Sequence, residues 1–422
     1  MAMSENNIDE CQSKQKEGAL MGNAKLLSFR IANYRSFYTP QSFNFSDGDG
    51  RPRPLTVIYG PNSSGKSNSA YALQDFRACI VNSASANWRL PYIPFMLRQG
   101  ATGKPTEFEA VFTFEGRRYS YSFAFVSERV IEETLRAESP KTGRMNLVFH
   151  RGDRGVDSKS ASKNGFGKTL QERTRPETLL VTKAHEDNNP FSAAVFSLVE
   201  STPIMLDRGP DRTPQFVDML KGNEDLRGKI LKLLRDCDFT IRDIAIGETR
   251  FSEDDLSAIP LPAEIRQALA AKGGTTFSTL HAVRDDELSI VGMGAMDFWS
   301  LESNGTRKFF EMAVPIVDAL DNGYTLYLDE YGSYLHPSLA KALVALFKSA
   351  ENKRGACLIL NTQDTSLMGD VAERDDILLV DKNMAEESRV SSLKDRGART
   401  TEPLEDRYLR GLYGSVPRVR TR

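Results

Sequence analysis

The chain has 422 residues with 40% hydrophobic and 27% charged side chains, and 55 basic against 57 acidic residues leave a formal net charge of -2. That length accommodates one large domain or two to three ordinary ones in a globular, water-soluble composition, and the balanced charge excludes a global basic field, so nucleic acid would have to be met by a local patch. No apolar run approaches the roughly 18 residues of a membrane span, and four scattered cysteines (Cys11, Cys79, Cys237, Cys357) and four unclustered histidines (His150, His185, His281, His336) argue against a disulfide framework or a transition-metal enzyme, which fits a cytoplasmic setting with no membrane partner.

Residues 1–23 are polar and read as a disordered leader, with Met21 a candidate second start. From Leu26, LLSFRIANYRSF alternates as a strand does, and SFNFS follows as its partner. PLTVIY is a nearly continuous apolar run, the pattern of a strand buried on both faces. GPNSSGKSN (60–68) comes next, then a helix with Leu73, Phe76 and Ile80 at helical spacing. TEFEAVFTFEGRRYSYSFAFV (106–126) predicts an antiparallel hairpin turning at EGRR. Residues 151–175, rich in Lys, Arg, Ser and Gly, read as a mobile basic loop or insertion.

Residues 190–300 carry mixed helical signals, such as DMLKGNEDLRGKILKLLRDC and PAEIRQALAAKGG, with no sustained heptad and hence no long coiled-coil arm. A helix is expected from about Gly305 to Leu320, closed by the DNG turn; YTLYLDE is a buried strand running into two acids. PSLAKALVALFKSA is a helix with Pro337 in its first turn, and ACLILNTQ and DILLVDK are further buried strands. Strands and helices alternating around such a loop predict a mostly parallel α/β sheet. The divisions drawn from these patterns are a leader (1–23), an N-terminal part with loop and hairpins (24–150), a basic loop and helical lobe (151–300), a C-terminal part (301–385) and a polar, basic tail (386–422).

Gly60 to Ser67 fit G-x-x-x-x-G-K-[ST] at every position, between a strand and a helix, which is the context that makes this pattern specific. Glycines let the backbone wrap a β-phosphate, and amides at the helix N-terminus favour an anion. Gly60, Asn62, Ser63, Ser64, Gly65, Lys66, Ser67 and Asn68 are the candidate nucleotide-binding residues; Lys66 would neutralise β/γ-phosphate charge and the Ser67 hydroxyl would hold Mg²⁺. Asp329 and Glu330 end a buried strand, where an α/β sheet presents ligands; one acid can hold the metal and the other polarise a water, although a solvated turn is the plain alternative. Lys66 and Asp329 lie 263 positions apart, far more than a compact kinase or GTPase needs. Ser303, just before the predicted helix, reads either as its cap or, with Gly305 and Thr306, as a second anion site for a nucleotide on another subunit.

The order of phosphate loop, SNGT helix and LYLDE resembles an ABC-type ATPase head. It is similar in particular to the AAA-labelled ABC-type ATPases of bacterial anti-phage and abortive-infection modules, AriA-like (of PARIS) and RloA-like. LLSFRIANYRSF, GPNSSGKSN, KPTEFEAVF, RPETLLVTKAHEDNN, ESNGTRKFF, LYLDEYGSYLHP, LNTQDTSLM and YLRGLYGSVP carry the likeness across most of residues 25–418. The fold this implies is an α/β P-loop NTPase with an ABC-type head: a mixed sheet, an N-terminal antiparallel β part and a helical lobe insertion. The resemblance implies ATP and Mg²⁺ as cofactors, ATPase activity, Asp329 as metal acid and Glu330 as general base. It places Ser303, Gly305 and Thr306 across a dimer, Ser333 to His336 on the seam, and Arg35 near the nucleotide.

It further implies a homodimer or higher homo-oligomer in a bacterial cytoplasm, an effector nuclease of TOPRIM type as partner, and a phage protein as candidate trigger. Where relatives carry a T-H-D step that senses the γ-phosphate, this chain has Thr362-Gln363-Asp364. Gln363 can donate a hydrogen bond but carries no charge, which implies slow hydrolysis. Gln74 and Gln99 are the Q-loop candidates, with surface glutamine as the plain reading of each. The alternative of a DNA-repair ATPase of RecF or SMC type calls for a basic face or coiled-coil arm; a transporter motor calls for an LSGGQ-like signature. The basic segments 151–175 and Arg407 to Arg422, with Tyr408 and Tyr413, are the local candidates for nucleic acid.

Overall fold

The computed structural model describes residues 23–153, 155–156, 158–206, 212–249, 274–333 and 335–416. In chain order the strands and helices begin with β1 (Lys25–Ala32), β2 (Gln41–Asn44), β3 (Leu55–Tyr59) and α1 (Lys66–Asn82). Next come β4 (Thr106–Phe114), β5 (Arg117–Phe125), β6 (Val130–Glu138), β7 (Met145–Gly152) and β8 (Gly155–Val156). Four short helices follow, α2 (Ser158–Lys163), α3 (Lys168–Glu172), α4 (Leu180–Glu186) and α5 (Pro190–Glu200). β9 (Ile204–Met205), α6 (Thr213–Leu220), α7 (Glu224–Asp236), β10 (Asp243–Thr249), β11 (Gly274–Arg284) and β12 (Ile290–Asp297) lead to α8 (Asn304–Asn322). The chain ends through β13 (Thr325–Leu328), α9 (Pro337–Ala345), β14 (Cys357–Asn361), β15 (Ile377–Lys382), β16 (Ser388–Ser392) and α10 (Leu404–Leu409).

Two compact units interleave along the chain. Met1–Pro52, Ala72–Pro203 and Ala385–Glu387 make one; Arg53–Tyr71, Ile204–Met384 and Ser388–Arg422 make the other, so the division falls inside α1. The first unit is built on a seven-stranded antiparallel sheet in the order β2-β1-β4-β5-β6-β7-β8. The predicted hairpin is β4–β5, with Phe114 facing Arg117 across a two-residue turn. Glu115 and Gly116 both have positive φ there, 50° and 72°, the twist that a tight hairpin needs. Every second residue of β4 is buried, and the inward row includes Phe108, Phe112 and Phe114. Phe29, Phe108 and Phe123 surround Phe76 of α1, with Phe76 and Phe123 stacked at 5.5 Å. Each such ring contributes about 1.5–3 kcal/mol by leaving water.

The second unit holds a six-stranded sheet in the order β16-β15-β3-β14-β13-β9, parallel except for the β15–β16 pair. All residues of β3, β13 and β14 are buried, which is why PLTVIY, YTLYL and CLILN read as unbroken apolar runs. α8 lays Phe309, Phe310, Ala313 and Val314 into this core. Its start is set by Ser303, whose hydroxyl accepts from the Thr306 N–H at 3.0 Å. Its end is set by Gly323 at φ 70°, where an added Cβ would lie 2.7 Å from the Arg354 carbonyl oxygen.

Three expectations change. The helical reading of 190–300 missed a separate three-stranded antiparallel sheet, β10-β11-β12. β12 is exposed along nearly its whole length, so it lacks the alternation that marks a strand. PAEIRQALAAKGG lies outside the described residues apart from Gly274. The basic segment 151–175 is not a plain loop: it contains β8, α2 and α3, and Phe166 is buried and stacked on Phe149 at 4.2 Å. Its few apolar residues anchor it although Arg, Lys, Gly and Ser make up most of its composition. In the tail, Tyr408 and Tyr413 are buried at 5% and 2% exposure. Rings committed to a core cannot offer faces to bases, so the aromatic half of that nucleic-acid patch falls away. Residues 1–22 of the leader and residues 417–422 of the tail lie outside the described residues, and no described helix is long and apolar enough to cross a membrane.

Candidate functional site

β3 delivers the chain to the loop at the carboxyl end of the parallel sheet, between its neighbours β14 and β15. Gly60 turns there so close to β15 that a Cβ would meet the Val380 carbonyl oxygen at 2.0 Å and Ser64 Oγ at 2.9 Å. Only glycine fits. Ser63 and Gly65 also take positive φ, 62° and 110°, as a loop folded back on itself requires. Lys66, the first residue of α1, is buried, and its Nζ donates to the carbonyls of Gly60 at 2.7 Å and Pro61 at 3.2 Å. Burial pushes its pKa down from the usual lysine value, while the charges of Glu330 and Asp329 oppose that shift. Ser64 is buried as well, and its Oγ has no hydrogen-bond partner.

Asp329 follows β13 directly and is 6% exposed; its N–H donates to the Met205 carbonyl of β9 at 2.9 Å. Asn361, the last residue of β14, donates through Nδ2 to Asp329 Oδ1 at 2.7 Å and to the Lys66 carbonyl at 3.0 Å. The Asn361 side-chain oxygen accepts from the Tyr327 hydroxyl at 3.1 Å. That hydroxyl in turn lies 2.8 Å from Ser69 Oγ, whose single proton is shared between the Tyr327 oxygen and the Lys66 carbonyl 2.5 Å away. Asn361, Tyr327 and Ser69 were not singled out from sequence. The available signal was a polar residue closing an otherwise apolar strand.

Glu330 is exposed, at φ 53°. The next residue, Tyr331, donates its N–H to the Asn361 carbonyl at 2.8 Å. Thr362 Oγ1 donates to the Tyr331 carbonyl at 2.7 Å, and the Asp364 N–H donates to Thr362 Oγ1 at 3.0 Å. Gln363 lies between them and is exposed. The structure thus brings Lys66, Asp329 and Glu330 to one end of one sheet, with Gln363 two residues beyond the end of β14, the strand paired with β13.

The other candidates stand differently. Ser303 and Thr306 spend their hydroxyls on one another at 2.8 Å, which is the capping reading; Asn304 is exposed and Gly305 half-buried. His336 also caps a helix, its Nδ1 accepting from the Ser338 N–H at 3.3 Å before Pro337 starts α9. Ser333 is exposed, and Tyr334 lies outside the described residues. Arg35 belongs to the other unit, at φ 48°; its Nε donates to the Tyr34 hydroxyl at 2.9 Å, which donates to Asp75 at 2.6 Å. Gln74 and Gln99 are exposed in that same unit.

A loop cradle with an orphaned buried hydroxyl, a half-buried Ser67 and one fixed carboxylate suits Mg²⁺ brought with phosphates, since that ion keeps several waters and takes only one or two carboxylates. Among the described residues no group of three or more His, Cys, Asp or Glu side chains could hold a metal by itself.

No curated protein matches the chain. Among solved structures it is similar to an SMC head domain from Thermotoga maritima, at 14% identity and a TM-score of 0.43 over 87% of this chain and 98% of that one. It is similar also to a structure of the recombination mediator protein RecF-ATPrS in the RecFOR pathway, at 11% identity and a TM-score of 0.38 over 88% and 99%. Residues 55–197 and 266–369 match the family described as "AAA domain, putative AbiEii toxin, Type IV TA system". With more than half of its length inside that match, its loop and Asp329 included, the chain belongs to this AAA-domain family of P-loop ATPases.

Proposed function

We propose that this chain binds and hydrolyses ATP as an ABC-type subunit, and that two copies close on the nucleotide to hold or activate an effector nuclease in anti-phage defence. The observation that carries the ATPase reading is the joining of Lys66 and Asp329 through one buried asparagine at the carboxyl end of the sheet. The defence setting rests on the sequence resemblance and on the family description, which names a toxin–antitoxin system.

In this reading the loop amides and Lys66 hold the β- and γ-phosphates, and binding adds counter-charge to a buried lysine for which Glu330 and Asp329 only partly offset the cost of burial. Ser67 and Asp329 hold magnesium, which when bound supplies charge neutralisation across the phosphates. Glu330, exposed beside them, orients and deprotonates the attacking water. Gln363 offers the γ-phosphate a neutral hydrogen bond. The α8 N-terminus, with Ser303, Gly305 and Thr306, meets the nucleotide of the partner copy, although the Thr306 N–H is held by its Ser303 cap in the single copy. His336 lies on that seam.

Native mass measurement of the Glu330→Gln variant tests this. With ATP and Mg²⁺ it is expected to run as a stable dimer or higher assembly, and without nucleotide as a smaller species. An unchanged mass with ATP would overturn the sandwich, and wild-type turnover in this variant would remove Glu330 from its role.

A further inference from the structure

We infer that Asn361, locked by Tyr327 and Ser69, is the positioning residue that sets magnesium affinity at this site. The inference rests on the ATPase reading and assigns it a control residue two positions before Gln363.

Asn361 is 1% exposed, and both ends of its amide are committed. The nitrogen donates to Asp329 Oδ1 and to the Lys66 carbonyl, at 2.7 and 3.0 Å. The oxygen accepts from Tyr327. Tyr327 is itself buried and its hydroxyl is bridged to Ser69 on α1. A carboxamide has one acceptor and two donor positions, so a hydroxyl donating to its oxygen fixes which end faces Asp329. The amide therefore cannot flip and present its oxygen to the carboxylate.

Three consequences follow for the carboxylate. One oxygen is held by a neutral amide, which itself brings no positive charge to compete with a cation. Its plane is fixed relative to α1, whose first residues Lys66 and Ser67 hold the phosphates in the proposed reading. And the same amide grips the Lys66 carbonyl, so carboxylate and helix move as one piece. Outer hydrogen-bond partners of a metal-binding carboxylate commonly change metal affinity by about 10–100-fold when removed. Asn361 is that partner here, and Tyr327 and Ser69 stand one bond further out.

The test is binding of a fluorescent ADP analogue, in EDTA and across a magnesium titration, to wild type, Asn361→Ala, Tyr327→Phe and Lys66→Ala. In EDTA, Asn361→Ala is expected to bind within about twofold of wild type, since the loop is intact. The magnesium concentration for half-maximal enhancement is expected to rise roughly tenfold or more in Asn361→Ala, and by a smaller factor in the same direction in Tyr327→Phe. Tyr327→Phe keeps the packing volume, so it reports even if Asn361→Ala fails to fold. A lowered melting temperature with an unchanged magnesium midpoint in both variants would make Asn361 a structural strut and overturn the inference alone. Equal binding by wild type and Lys66→Ala would overturn the ATPase reading and this inference with it.

Discussion

Glu133 stands in the middle of β6, and Asp329 directly after the end of β13; each is a buried acid set by its unit's sheet. Glu133 is 0% exposed and surrounded by donors: the Tyr121 hydroxyl at 2.9 Å, the Leu180 and Val181 N–H groups at 2.7 and 3.0 Å, and Arg151 at 3.6 Å. Burial pushes its pKa up against the pull of those groups. Its partners come from strands and from the first turn of α4, so the acid pins a helix to a sheet. Asp329 faces the opposite task. It is presented where parallel strands end, one neutral amide steadies it, and the lysine of the loop feels its charge. A mid-strand acid ringed by donors is placed for architecture, and a strand-end acid beside the loop is placed where chemistry is proposed. Position along the strand separates them more clearly than burial does.

Stability measurements break this comparison first, because the expected effect is largest there. Glu133→Ala leaves two backbone N–H groups and Arg151 without their acceptor and should cost about 3–5 kcal/mol, read as a shift in denaturant midpoint. Asp329→Asn keeps an acceptor for Asn361 and should cost only about 1 kcal/mol. Equal losses would mean that Asp329 too is architecture. Next in size, Lys66→Ala should remove roughly 2–5 kcal/mol of nucleotide binding, a factor of tens to thousands in Kd. Its melting temperature should stay level or rise, because the fold holds that charge under a desolvation penalty. Gln363→His, at an exposed position, should leave stability within about 0.5 kcal/mol. If Gln363 meets the γ-phosphate, exchanging its neutral hydrogen bond for a charged one should speed hydrolysis by about fivefold, close to 1 kcal/mol. An unchanged rate would take Gln363 out of the site.

The unit that holds the loop and Asp329 was also the more legible one. Buried parallel strands, a glycine-rich turn and a Ser-capped helix ended by glycine all write themselves into neighbouring residues, so β3, β13, β14 and α8 could be read from short windows. What stayed hidden depends on partners far along the chain. Asn361 looked like the polar end of an apolar run, and its meaning comes from Asp329 and Lys66, 32 and 295 positions away. Glu133 went unremarked in the sequence, because its donors lie 12, 47 and 48 positions away. β12 had no pattern to find, since both of its faces meet solvent. Tyr408 misled for the converse reason: a basic neighbourhood suggested an open surface, while its ring packs 5.8 Å from Tyr59, the residue before Gly60.

The smallest effect separates the two units by pH. Glu133 has a raised pKa in the fold, so its share of stability is complete below the ordinary glutamate value of 4.5 and is lost as pH rises through its folded value. Lys66 has a lowered pKa, so the unfolded chain holds the proton more tightly, and the fold gains stability as pH rises from the folded value towards 10.5. Nucleotide binding must run the other way, because phosphates favour the charged lysine and raise its pKa in the complex. Affinity should therefore be flat at neutral pH and fall by up to tenfold per unit once pH passes the folded value of Lys66, with no accompanying loss of stability from this residue. Lys66→Arg, which stays charged, should bind without that alkaline decline. Titrating affinity against pH in both proteins decides it: parallel declines would show that the loss belongs to some other group and that Lys66 does not carry the phosphate's counter-charge.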